Sequence, residues 1–296
     1  MRALRTLILM AVGVVGLAGT ALAADPSWPK ELTFALLSTE NAAEVGRRWA
    51  PIITQLEKDL GVKVKYTTAT DYRGTIEALK FGKAQLGHLG PKSYVEASAN
   101  NYANVEPIAQ LQLANGSLGY RSCLIVHADS DIFSPEDMAG KTFAFNDPNS
   151  TSGYLVPSAF FMMEMGIDPQ KHFSKVIFSG SHEASILAVA NKKVEIASTN
   201  LPDLQQLTRE NKVPRGGLRV IWVSRLIPND PIVIRKDMPA SLRAAVVESL
   251  TTMKARQPDT FKEIGAWVGN FVPADDTKYN VIRELNETAK RLKAQK

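Results

Sequence analysis

Cysteine is almost absent: Cys123 is the only one in 296 residues. A single thiol cannot close an internal disulfide, so core packing must hold the fold, and cysteine-based zinc and redox motifs are excluded. Cys123 lies in the apolar run Ser122-Cys123-Leu124-Ile125-Val126 and reads as a small buried hydrophobe rather than a nucleophile. Histidine is scarce as well. His88, His127, His172 and His182 show no H-x-x-x-H pairing and no carboxylate cluster, so no metal site is expected. Charge of one sign is not in surplus: 35 Lys and Arg stand against 30 Asp and Glu, interspersed, for a formal +5. That balance argues against a nucleic-acid partner. There is no G-x-S-x-G elbow, no Walker A loop and no G-x-G-x-x-G fingerprint. Ser27-Trp28-Pro29-Lys30 matches S-x-x-K in form, but it sits in a proline-rich leader. Neither an enzyme nor a bound cofactor is expected.

The chain does carry an export signal. Arg2 and Arg5 precede a 12-residue apolar run at 7–18, and Ala21-Leu22-Ala23 follows as a small-x-small cleavage site. The run falls short of the ~20 residues that span a bilayer. Cleavage after Ala23 is expected to release an exported protein that does not span the membrane. No cysteine follows the cut, so no lipid anchor is expected there.

Beyond residue 23 short apolar strands alternate with amphipathic helices. Residues 32–37 read as a strand. Asn41 then caps a helix with Val45, Trp49, Ile52, Ile53, Leu56 and Leu60 on one face and Gly61 at its end. Strands at 62–67, 111–114, 124–126, 141–145, 176–178, 194–198 and 219–223 alternate with helices at 75–81, 151–165, 185–191 and 202–207. This alternation predicts α/β architecture with mainly parallel sheets, and the length suits two domains. Asp237 is expected to cap a helix bearing Leu242, Val246, Leu250 and Met253. A last helix runs from Asp275 or Asp276 through Ile282, Leu285, Ala289 and Leu292. With no strand after them, these two helices must pack back on a sheet already formed.

The most informative stretch is Asn146-Asp147-Pro148-Asn149-Ser150-Thr151-Ser152-Gly153-Tyr154, between a strand and a helix. Three consecutive hydroxyl residues beside the unpaired amides of a first helical turn suit a tetrahedral oxyanion. Plain capping needs only one of them. His182, in Ser179-Gly180-Ser181-His182-Glu183, precedes another helix and is either a donor to an anion or a capping residue. Tyr72 follows Asp71 at a strand-to-helix junction, as a phenol at the sheet mouth or a loop aromatic. Asp230 lies between Pro228 and Pro231 as a turn residue or a ligand acceptor.

Taken in order, Asp71-Tyr72, Gly116-Ser117-Leu118-Gly119-Tyr120, Asp147-Pro148-Asn149-Ser150-Thr151-Ser152-Gly153, Gly180-Ser181-His182-Glu183 and Leu226-Ile227-Pro228-Asn229-Asp230-Pro231-Ile232 closely resemble the phosphonate-binding periplasmic proteins of ABC transporters. The likeness runs from about residue 32 to about 236. It implies a two-lobed type II periplasmic binding protein that closes on a phosphonate, phosphite or phosphate and hands it to a permease. Lobe 1 would comprise 24–117 and 227–296, and lobe 2 would comprise 118–226. By the same resemblance Ser150, Thr151, Ser152 and His182 hold the phosphoryl oxygens, and Tyr72 reaches over from lobe 1. Asp230 matches one of two carboxylates that hold an amino group in some members. The other falls at Pro202, with Asp203 adjacent, and an aromatic position falls at Leu89. These departures favour a smaller or more apolar ligand, with Asp230 accepting from a protonated phosphoryl oxygen. Two other readings remain: a periplasmic sensor reporting to a receptor kinase, and an exported hydrolase using Ser152 with His182.

Overall fold

The computed structural model describes residues 25–294; the export signal expected at 1–23 lies outside them. Helix α1 (Ala42–Leu60), after strand β1 (Glu31–Leu36), shows how local chemistry sets an element. Asn41 accepts from the Glu44 amide at its start. At its end Gly61 takes φ 65° and donates to the Glu57 carbonyl, a left-handed cap that glycine adopts without strain. The face made of Val45, Trp49, Ile52, Ile53, Leu56 and Leu60 is buried against the first sheet.

The remaining elements follow as β2 (Lys63–Thr68), α2 (Tyr72–Lys80), β3 (Leu86–His88), α3 (Pro91–Ser98), β4 (Val105–Leu113), β5 (Gly119–Tyr120), β6 (Ser122–His127) and β7 (Thr142–Phe145). A helical segment at 151–164 then consists of wide π turns on either side of a short α4 (Val156–Ala159). After it come α5 (Pro169–His172), β8 (Lys175–Phe178), α6 (His182–Ala190), β9 (Ile196–Asn200), α7 (Leu201–Arg209), β10 (Leu218–Val223), β11 (Ile227–Pro228), β12 (Pro231–Arg235), α8 (Ala240–Arg256), β13 (Val268–Pro273) and α9 (Asn280–Ala294).

Among the described residues these strands form two large sheets. The first has six strands in the order β13-β4-β12-β3-β1-β2, and the second five in the order β10-β6-β9-β7-β8. Each carries its own helices and its own buried clusters. The chain leaves the first sheet after β4 and returns to it at β12. At the two crossings β5 and β11 pair antiparallel as a small ribbon. A side chain at Gly119 would come within 2.6 Å of the Ile227 carbonyl, so this crossing needs a residue without Cβ.

The sheets are mixed rather than mainly parallel. β1 runs parallel to β2 and β3, and β7 runs parallel to β8 and β9. The strands next to the crossings, β4, β6, β9, β10 and β12, pair antiparallel, as does β13 with β4. A return strand inserted between β3 and β4 has no crossover helix to turn it parallel. The stretch 226–232 holds β11 and the start of β12, with Asp230 between them. Two further expectations fail here. A strand, β13, separates the last two helices. Asp237 caps nothing: it pairs with Arg235 at 2.8 Å, and α8 starts after Pro239. Cys123 is fully buried in β6.

Candidate functional site

Five helix N-terminal ends converge on the cleft between the lobes. α2 and α3 bring Tyr72 and Gly90 from the first lobe. The turn at 151 brings Ser150 and Thr151 from the second, α6 brings His182, and α7 brings Asn200, Pro202 and Asp203. Between them lies a cavity of about 60 Å³. Each of these ends carries partial positive charge and amides with no acceptor inside the helix. Arg48 is the only Lys or Arg on the cavity wall among the described residues, and its guanidinium is already held by Glu40 at 2.7 and 2.9 Å and by Glu210 at 2.7 Å. An anion here is met by neutral donors and helix ends.

The hydroxyl cradle is built in detail. Ser150 caps the first turn, its Oγ accepting from the Gly153 amide at 3.0 Å. Thr151 Oγ1 accepts from the Lys92 amide at the start of α3, 2.9 Å away in the other lobe. Each oxygen spends a lone pair on a backbone amide, and each O–H remains able to donate. The first bond inside the segment runs from Leu155 N–H to the Ser150 carbonyl, five residues apart, a wide turn of the kind that recurs at functional sites. Behind it an aromatic stack of Phe145, Tyr154 and Phe178, with centroids 5.1 to 5.8 Å apart, backs the turn.

Ser152 and His182 sit together. Ser152 Oγ lies 3.5 Å from His182 Nε2, while His182 Nδ1 lies 3.0 Å from Thr199 Oγ1 and 3.9 Å from Asp203 Oδ2. Burial pushes the His182 imidazole down to about 4 against the pull of Asp230, which keeps it neutral at neutral pH. His182 is on the cavity wall, whereas Ser152 is not on it. Tyr72 is on the wall and almost fully buried, and its hydroxyl has no hydrogen-bond partner. Burial, followed by the charges of Asp203 and Asp230, drives its phenol well above the ordinary range.

Asp230 and Asp203 also face the cavity. Burial first, and Asp230 second among the raising effects, push the Asp203 carboxyl up to about 6, while Asn200 Nδ2, 2.7 Å away, holds it back. Asp203 thus places a carboxylate on the wall beside Pro202. Leu89 is a correction: it is not on the wall but fully buried with Ala35, Ile76 and Leu79. Side chains alternate along β3, so the residue that faces the cavity is His88. Sequence reasoning had set His88 aside as isolated. Its place at a strand end, just before the Gly90-Pro91 helix start, was the signal that could have found it. Trp49, Arg48, Asn200, Gln206 and Trp267 were not foreseen on the wall either.

Several known proteins are similar to this chain. The family model described as the periplasmic substrate-binding protein of phosphonate ABC transporters matches residues 34–279. The phosphonates-binding periplasmic protein of Escherichia coli K12 is 39% identical over 223 residues, covering 74% of this chain and 65% of that protein, so the chain spans just under two thirds of it. The phosphate-import protein PhnD of Mycolicibacterium smegmatis is 30% identical over 281 residues, covering 87% and 85%. Among solved structures, the binding protein component of an ABC phosphonate transporter from Pseudomonas aeruginosa superposes with a TM-score of 0.82 at 34% identity, covering 89% of this chain and 87% of that one.

Proposed function

Because this chain belongs to the periplasmic substrate-binding proteins of phosphonate ABC transporters, we propose that it captures a phosphonate, phosphite or phosphate in its cleft and delivers it to a membrane permease, without chemical change. The lobes that close on the ligand are 24–117 with 227–296, and 118–226. Sheet membership supports this division, since the first sheet draws its strands from 31–113 and 231–273 and the second from 122–223. After export and cleavage near Ala23 the protein works in the periplasm.

The observation that carries this reading is a cradle of hydroxyl groups on opposed helix ends, with no unpaired Lys or Arg on the wall among the described residues. Ser150 and Thr151 donate to the phosphoryl oxygens. His182, oriented by Thr199 at Nδ1, donates through Nε2, beside which the Ser152 hydroxyl lies. Tyr72 brings its unpartnered hydroxyl from the first lobe. Water leaves on closure, and each bond to the anion gains strength in the lower dielectric. The ligand's preference for the closed form is what populates it. Asp230 and Asp203 accept hydrogen from a protonated phosphoryl oxygen or from an amino substituent, so an aminophosphonate joins the smaller oxyanions as a ligand to test.

Hydrolysis is the poorer reading, since the Ser152 hydroxyl is off the wall and Asp203 is beyond hydrogen-bond reach of His182. A thermal-shift series with phosphate, phosphite, methylphosphonate and aminoethylphosphonate tests the proposal. A ligand at 100 times its dissociation constant stabilises by about 2.7 kcal/mol, which raises the melting point by several degrees. Thr151→Ala should weaken every member of the series by roughly tenfold to a hundredfold, the worth of a charge-assisted bond. No shift with any of the four would overturn the reading, as would turnover of a phosphate ester that Ser152→Ala abolishes.

A further inference from the structure

His88 is a buried imidazole that makes no hydrogen bond. It ends β3, is 5% exposed and lines the cavity. Neither ring nitrogen has a hydrogen-bond partner. Its Nε2 lies 3.2 Å from Asp230 Oδ2, but off the line that a hydrogen bond needs. The ring is held against the Trp49 indole, with centroids 4.7 Å apart and planes at 40°. Its backbone is fixed by pairing with Ile232 of β12. A buried polar group left unpaired is costly, and on a cavity wall a bound ligand is one partner that can remove the cost.

Charge decides which part of a ligand arrives there. A phosphoryl oxygen bearing negative charge is repelled by the Asp230 carboxylate and attracted to the donors of Ser150, Thr151 and His182. Once the head is seated on the second lobe, the first-lobe wall of His88, Asp230 and Trp49 faces the fourth group on phosphorus. We propose that His88 is a specificity-determining residue that hydrogen-bonds this fourth group. It favours ligands whose substituent carries a hydroxyl or an amino group over those that present only P–H or P–CH₃. A site built to hydrogen-bond a substituent rejects the analogue that lacks it, because the site's own polar group then stays unpaired. This inference rests on the phosphoryl-binding reading above.

Calorimetric titration of wild type, His88→Leu and His88→Gln with inorganic phosphate, methylphosphonate and hydroxymethylphosphonate tests it. Wild type should bind hydroxymethylphosphonate more tightly than methylphosphonate by roughly tenfold to a hundredfold. His88→Leu should collapse that ratio towards one, mainly by weakening the hydroxyl-bearing ligands. His88→Gln, which keeps a polar end, should restore part of it. Melting curves confirm that each variant is folded, and His88→Gln carries the test alone if the leucine variant is not. The same factor of loss on all three ligands would make His88 merely structural and overturn the proposal, as would no change on any of them. Binding that survives in wild type but ignores His88 leaves the phosphoryl-binding reading intact. No binding of any of the three to wild type overturns both.

Discussion

Two buried ionisable groups on the cavity wall pull stability in opposite directions as pH changes. His182 is held near 4 by burial, against an ordinary 6.5. Between those values the unfolded chain binds more protons, so this contribution is complete above about pH 6.5 and is lost as pH falls towards 4. Asp203 is raised to about 6 from 3.8, by burial before the charge of Asp230. Here the folded chain binds more protons between the two values, so stability falls as pH rises through that window, and the loss is complete above about 6. Asp203→Asn removes only the second effect. Its ligand-free melting temperature should exceed that of the parent by a few degrees near neutral pH, and the gain should vanish by about pH 4. An equal offset at both pH values would show that this carboxyl does not titrate in the window. Much of the wall was legible because Tyr72, Ser150, Thr151, His182 and Asp203 stand at strand-to-helix junctions, where composition and position together point to a sheet mouth. Leu89 failed for a reason of phase. Its place came from the family resemblance alone, just past the end of β3, and a shift of one residue there moves a side chain to the opposite face.

The π turn at 151–155 depends on its third residue having no side chain. A Cβ on Gly153 would fall within 2.6 Å of the Asn146 Cβ, and Asn146 is itself fully buried. Its amide donates to the Gly153 carbonyl at 3.1 Å, which ties the end of β7 to the turn. Gly153→Ala should cost about 1–3 kcal/mol in stability, as overpacked sites do, and should weaken phosphate and methylphosphonate by more than tenfold because Ser150 and Thr151 move with the turn. Denaturant unfolding and calorimetry on the same variant check both parts. Parent-like affinity with reduced stability would separate the turn from the cradle. That a helix starts here could be read from the hydroxyl run, whereas its wider winding could not, since five-residue closure leaves no mark in composition. α1 was legible in full because cap, apolar face and glycine stop agree. β12 and β13 were hidden. Proline opens the first, and the second has Gly269 and Asn270 in its middle, so neither shows the alternation of a half-buried strand.

At the scale of the whole molecule, the lobes touch each other as well as the cavity. On one side Lys92 and Ser93 of α3 bond Thr151 and the Asn149 carbonyl, each at 2.9 Å. On the other side a network of charges crosses the cleft. Glu183 accepts from the amide and side chain of Asn41 at 3.0 and 3.1 Å. Arg48 reaches Glu210 at 2.7 Å. Lys212 lies 2.8 Å from Glu183 in its own lobe and 3.8 and 4.0 Å from Glu40 and Glu44 in the other. These contacts exist only when the lobes are together, so they lower the free energy that a ligand must supply to close them. Lys212 matters most in this respect, because without it four carboxylates, Glu40, Glu44, Glu183 and Glu210, face one another with less positive charge between them. Lys212 keeps 29% of its side chain exposed while Glu40 and Glu183 are mostly buried. Partial solvent screening leaves its pairs together worth about 1 kcal/mol, so Lys212→Met should raise the dissociation constant by roughly a few-fold to tenfold, mostly through faster release. The ligand-free variant should scatter X-rays with a larger radius of gyration than the parent, and Lys212→Arg should behave like the parent. About 1 M salt, where the screening length falls to ~3 Å, should move the parent part of the way towards the variant. Unchanged release and an unchanged radius in Lys212→Met would mean that the ligand alone draws the lobes together.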